Sequence, residues 1–218
     1  MESTRGQFDR DLDNIEAKVI ALLGLIVEDL AVATQSLLGG NTETPAVLAG
    51  REQLIDSLYV EVENLAVRQI IMQAPVACDL RFLLTVLRVA PELERSHDLV
   101  VHIACRGSHL RDGDLRQRTI TLAAKMSDLA TAMWRQTADA WYERDPSAAT
   151  SLGRLREEMD ELRANLIAEA AAAPISVRAA MEMAQAARDY ERLASHALNV
   201  ARRVAYLAGS PGSPPAPI

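Results

Sequence analysis

The chain has 218 residues, 49% of them hydrophobic and only 4% aromatic, which excludes global disorder and points to a close-packed aliphatic core of the kind helical bundles have. Its net charge of −7 excludes a general nucleic-acid binder, whose phosphate contacts need clustered Lys and Arg, and is compatible with binding cations. Cys78 and Cys105 sit in apolar sequence with no CxxC spacing, so two buried thiols of a cytosolic protein are expected rather than a disulfide.

The opening "MESTRGQFDRDLDN" is acidic and has no apolar signal core. Residues 8–38 follow as one long amphipathic helix, with Ile15, Val19, Leu22, Leu23, Ile26 and Leu30 recurring at spacings of three and four. Its longest apolar run, "VIALLGLIV", falls short of the roughly 20 residues a membrane span needs, so a soluble protein is expected. "GGNTETP" at 39–45 breaks this helix, and 46–72 carries a second, with Leu48, Leu54, Ile55, Leu58, Val62 and Leu65. "QAPVACD" at 73–79 is the next break. Pro45 and Pro75 both suit the first turn of a helix, where a missing amide hydrogen costs nothing. A third helix is expected over 79–105, interrupted and kinked at Pro91. "RGSHLRDGD" at 106–114 reads as a linker.

The second half repeats this order. Helices are expected at 115–143, 147–172 and 177–208, separated by "RDP", where Asp145 is placed to cap, and by "APIS". Trp134 and Trp141, two turns apart, read as packing anchors. The tail "GSPGSPPAPI" is too rich in Pro and Gly for helix, and disorder is expected over 210–218. The halves can be laid on each other: "QLIDSL" falls on "EEMDEL", Pro75 on Pro174, and "PELERSHDLVVHIA" on "RDYERLASHALNVA". A period near half the chain is an internal duplication. The expected fold is all-α: two tandem three-helix bundles over 1–107 and 108–209, followed by the tail.

Within the first copy, Glu94 and Asp98 are four residues apart and interrupt an apolar stripe. Like charges at that spacing repel. Glu52 and Asp56 form a second such pair on the preceding helix. If the two helices run antiparallel, four carboxylates can converge into an oxygen-rich site for a hard cation. The same acids could instead form a solvated ion-pair network with Arg51, Arg88 or Arg95. Glu94 and His97 also spell the E-x-x-H of carboxylate-bridged di-iron bundles. A ferritin-like oxidase needs that pair twice, and the second copy has Glu191 followed by His196, on a different face. His97 is expected to be an ordinary, partly exposed histidine, and His102 and His196 to have no special role. No Gly-rich phosphate loop or nucleophile elbow is present.

The stretch "LIDSLYVEVENLAVRQIIMQAPVACDLRFLLTVLRVAPELERSHDLVVHIA" resembles the first repeat of the PhoU family of phosphate-signalling regulators, with its QxPVAxDLR turn and ERxxDLAxNIA helix. "YERLASHALNVARRVAYLAG" resembles the end of that family's second repeat. The resemblance extends over residues 8–209. It implies a cytoplasmic, non-enzymatic adaptor, peripheral at the inner face of the membrane through its partners. Those partners are components of a phosphate ABC transporter and a PhoR-type histidine kinase. The adaptor would be a negative regulator of phosphate uptake and of the phosphate-starvation response, and a homodimer. The alternatives are a metal-free helical adaptor with a different partner and the carboxylate-bridged oxidase. The resemblance also implies a first metal site at Glu52, Asp56, Glu94 and Asp98, for Fe, Mn, Mg or Zn. In the second repeat only Asp160 and Glu191 of the pattern remain. Ser195 stands in place of Asp98 and Arg156 in place of Glu52, so that site is expected to be weak or empty, with Arg156 filling it by a salt bridge.

Overall fold

The computed structural model describes residues 4–39, 44–110 and 113–209. The tail at 210–218 and parts of the breaks at 39–45 and 106–114 lie outside them. Six helices follow one another: α1 (Thr4–Gly39), α2 (Thr44–Gln73), α3 (Ala77–Gly107), α4 (Gln117–Glu143), α5 (Ala148–Ala172) and α6 (Val177–Ala208). Among the described residues there is no strand, and no helix is long and apolar enough to cross a membrane.

The buried residues explain which helices sit inside. In α2 four of them lie seven positions apart, at Leu48, Ile55, Val62 and Gln69, with Ala66 beside that line. In α5 the spacing recurs at Leu152, Met159 and Leu166. A seven-residue repeat makes only a narrow seam along a helix. Accordingly, among the described residues, α2 packs on α1 and α3 and α5 on α4 and α6, with no other helix in contact. The other helices bury wider faces. Each packs within its own repeat and also across to the other, α1 on α4 and α3 on α6. The fold is therefore two tandem three-helix units, joined through the four inner helices.

Cross-repeat contacts fix the direction of that junction. Arg81, near the start of α3, donates to the carbonyl of Gly209 and lies over the Tyr206 ring at the end of α6. Arg106, at the other end of α3, pairs with Glu182 and Asp189 near the start of α6. The two helices are thus antiparallel. Between α1, α4 and α6, the Thr34 hydroxyl meets Ser127 Oγ at 2.7 Å and Tyr190 Oη at 2.8 Å, all buried. Gly107 is where α3 touches α1: a Cβ there would lie 2.1 Å from the carbonyl oxygen of Ser36.

Several local expectations change. Helix α3 runs unbroken through Pro91, flanked by the fully buried Ala90 and Leu93; packing on both sides holds the turn that proline weakens. Pro45 lies in the first turn of α2, as expected, whereas Pro75 precedes α3 and sits between two left-handed residues, Ala74 (φ 44°) and Ala77 (φ 51°). Asp145 does not cap α5. Its carboxylate accepts from the amide and hydroxyl of Ser147 at 2.8 and 2.7 Å, which hold its pKa below the usual aspartate value. Cys78 is exposed and Cys105 half-buried, so neither is the buried thiol expected. Trp134 and Trp141 are fully buried packing residues.

Candidate metal centre

Glu52 and Asp56 lie on α2 and Glu94 and Asp98 on α3, the helix pair that packs together in the first repeat. The structure brings the four acids within electrostatic reach. Glu94 has a carboxyl pKa above the usual glutamate value, chiefly through partial burial, then through the charges of Asp98 and Asp56. Arg95 opposes this and Glu52 adds to it. No salt bridge or side-chain hydrogen bond engages any of the four among the described residues. Arg51, expected as one partner, turns instead to Asp29 and Glu28. The four acids do not close into a cage: among the described residues no group of three His, Cys, Asp or Glu side chains is arranged to hold a metal ion.

Two further groups border the acids. Glu52, Asp56, Tyr59 and Glu63 follow one stripe of α2 at three- and four-residue spacing. The Tyr59 hydroxyl pKa is raised by burial and by the charges of Glu63 and Glu94, with a hydrogen bond to Glu63. The helical spacing from Asp56 was the available signal for both.

His97 is not partly exposed. It is fully buried, with Nε2 3.1 Å from a carboxylate oxygen of the equally buried Asp29 on α1. It therefore faces away from the acids, and Glu94 and His97 do not form the E-x-x-H pair of an oxidase. Asp29 escaped the sequence reading, although it falls on the apolar stripe of Leu22, Ile26 and Ala33. By the repeat overlay, Asp29, Arg51 and His97 become Met133, Leu155 and Ala194 in the second copy. His196 also has partners: its Nδ1 lies 2.9 Å from Ser96 Oγ, and its Nε2 3.8 Å from Glu92 across the α3–α6 junction.

At the equivalent place in the second repeat, the positions of all four acids meet. Arg156 on α5 pairs with Asp160 at 2.6 Å and with Glu191 on α6. Its Nε donates to Ser195 Oγ at 2.9 Å, and that hydroxyl lies 3.3 Å from Glu191. One guanidinium thus pairs with both Asp160 and Glu191, the salt bridge expected of Arg156.

The family described as "PhoU domain" matches residues 19–107 and 123–204. A phosphate-specific transport system accessory protein PhoU homolog from Zymomonas mobilis is 28% identical over 92% of this chain and 86% of its own. A protein of the same name from Deinococcus radiodurans is 27% identical over 93% and 96%. The crystal structure of PhoU from Pseudomonas aeruginosa superposes with a TM-score of 0.85 at 21% identity, over 92% of this chain and 98% of that one. The phosphate transport system regulatory protein PhoU of Streptococcus pneumoniae gives 0.84 at 22% identity. Matched in both of its three-helix repeats, the chain belongs to the PhoU family.

Proposed function

We propose that this protein is a negative regulator of phosphate uptake and of the phosphate-starvation response. It acts without catalysis, as an adaptor between a phosphate ABC transporter and a PhoR-type histidine kinase on the cytoplasmic side of the membrane. The observation that carries this is the full-length similarity to proteins named as accessories of the phosphate-specific transport system. Exposed apolar side chains at the α2–α3 turn, Ile71, Met72 and Val76, give such an adaptor surface for protein partners, a second copy of the chain among them. Deleting the gene should derepress phosphate-uptake genes in phosphate-rich medium, and the wild-type copy should restore repression. Unchanged transcripts would argue against the reading.

The regulator would bind a cation between α2 and α3. The donor set fits one: Glu52, Asp56, Glu94 and Asp98 are all oxygen ligands, none is paired, and their charges oppose one another. Fe, Mn, Mg and Zn are the candidates. A bound cation would supply positive charge that relieves the repulsion. The second reading, a metal-free adaptor, is supported by the absence, among the described residues, of three His, Cys, Asp or Glu side chains arranged to hold a metal ion. It predicts that Glu94→Gln with Asp98→Asn leaves both regulation and metal response unchanged.

A further inference from the structure

The two repeats solve the same electrostatic problem with different charges. Repeat one faces α2 and α3 with four carboxylates and no paired base. Repeat two faces α5 and α6 with two carboxylates, a hydroxyl and a guanidinium, all interacting. We infer that Arg156 is a tethered counter-ion standing where a metal would otherwise be needed, so that the second repeat is clamped at any cation concentration and only the first responds to cation supply. The inference rests on the cation site proposed for repeat one.

The geometry suits that role. Two edges of one guanidinium donate hydrogen bonds to the neighbouring helix, Nη2 to Glu191 and Nε to Ser195, while Nη1 meets Asp160 on its own helix as an ion pair at 2.6 Å without a hydrogen bond. The side chain is 19% exposed, so its pairs are screened less than fully solvated ones. Arginine cannot lose its charge at physiological pH, and its planar fork holds a fixed set of oxygens. A hard cation, by contrast, requires several anionic oxygens, and two carboxylates beside a guanidinium do not provide them. The pair of substitutions is also matched. Serine at 195, where repeat one has Asp98, supplies a neutral acceptor for Nε. The residues of repeat two therefore do not fit a metal.

The test uses the full chain, stripped of metal, with Mn2+ as probe. In an otherwise wild-type chain, Arg156→Met should lower the melting temperature in chelator by a few degrees, and the gap to wild type should persist when Mn2+ is added to both proteins. Equal melting with and without Arg156 would overturn the clamp. In a background that silences repeat one, Glu94→Gln with Asp98→Asn, the pair Arg156→Glu and Ser195→Asp should restore Mn2+ uptake by elemental analysis and a Mn2+-dependent rise in melting temperature. A folded quadruple variant that takes up no more Mn2+ than its background would overturn the claim that Arg156 occupies a cation position. Failure of wild-type protein to bind Mn2+ would count against the site in repeat one alone, and the Arg156→Met melt would still decide the clamp.

Discussion

At the scale of single residues, Glu94 and Asp29 are two acids with opposite solutions. Glu94 has neighbours of its own sign, and its raised pKa means that the native state holds its proton more tightly than the unfolded chain does. Its contribution to stability is therefore full at pH below the ordinary glutamate value and is lost as the pH rises through the elevated native value. In metal-free buffer near neutral pH, Glu94→Gln should stabilise the protein by a few tenths of a kcal/mol, measured by urea denaturation. A loss of stability there would mean that the acids are already paired. Asp29 is fully buried and held by Arg51 and His97. Asp29→Ala leaves the buried His97 Nε2 without its hydrogen-bond partner and should cost about 1–3 kcal/mol. The triple change Asp29→Met, Arg51→Leu, His97→Ala, which copies the second repeat, should cost much less, because an apolar set of suitable volume can replace a buried ionic one. Equal losses in the single and triple variants would show that the polar set has no apolar equivalent here.

At the scale of helices, the seven-residue seams of α2 and α5 and the wider faces of α1, α3, α4 and α6 account for the layering. Those six helices were legible in the sequence to within a few residues, because apolar spacing reports burial directly. The duplicated E-R motif also exposed the replacement of Asp98 by Ser195. The turns were less legible. Pro75 could open a helix or end the break before it, and only the left-handed Ala74 and Ala77 around it decide for the break. His97 was misread because its environment depends on Asp29, which is 68 positions away in the chain. Gly107 read as part of the linker at 106–114, yet it ends α3 against the Ser36 carbonyl of α1. Gly107→Ala forces a methyl group into backbone, and the expected destabilisation is about 1–3 kcal/mol. Thermal melts within error of wild type would show that α1 and α3 can separate there without loss.

At the scale of the molecule, the antiparallel α3–α6 junction joins the two repeats and encloses a histidine. His196 lies in that junction between Ser96 and Glu92, with Arg95, Arg192 and Glu191 around it. Burial first, then the two arginines, lowers its pKa from the ordinary 6.5, while Glu92 and Glu191 oppose the shift. The unfolded chain therefore takes up a proton that the native state resists. The stability is full above the ordinary histidine value and is lost as the pH falls from there through the lowered native value. His196→Gln should flatten the fall in melting temperature between roughly pH 7 and 5. An identical pH profile in the variant would remove His196 as the cause.

The two repeats share a fold but differ in charge. Repeat one leaves four acids unpaired, and repeat two closes the equivalent site with Arg156. The most direct measurement is the metal content of chelator-stripped protein after dialysis against Mn2+, for wild type and for Glu94→Gln with Asp98→Asn. The account predicts bound Mn2+ in the wild type and none above background in the variant. Equal metal content in the two proteins would contradict it.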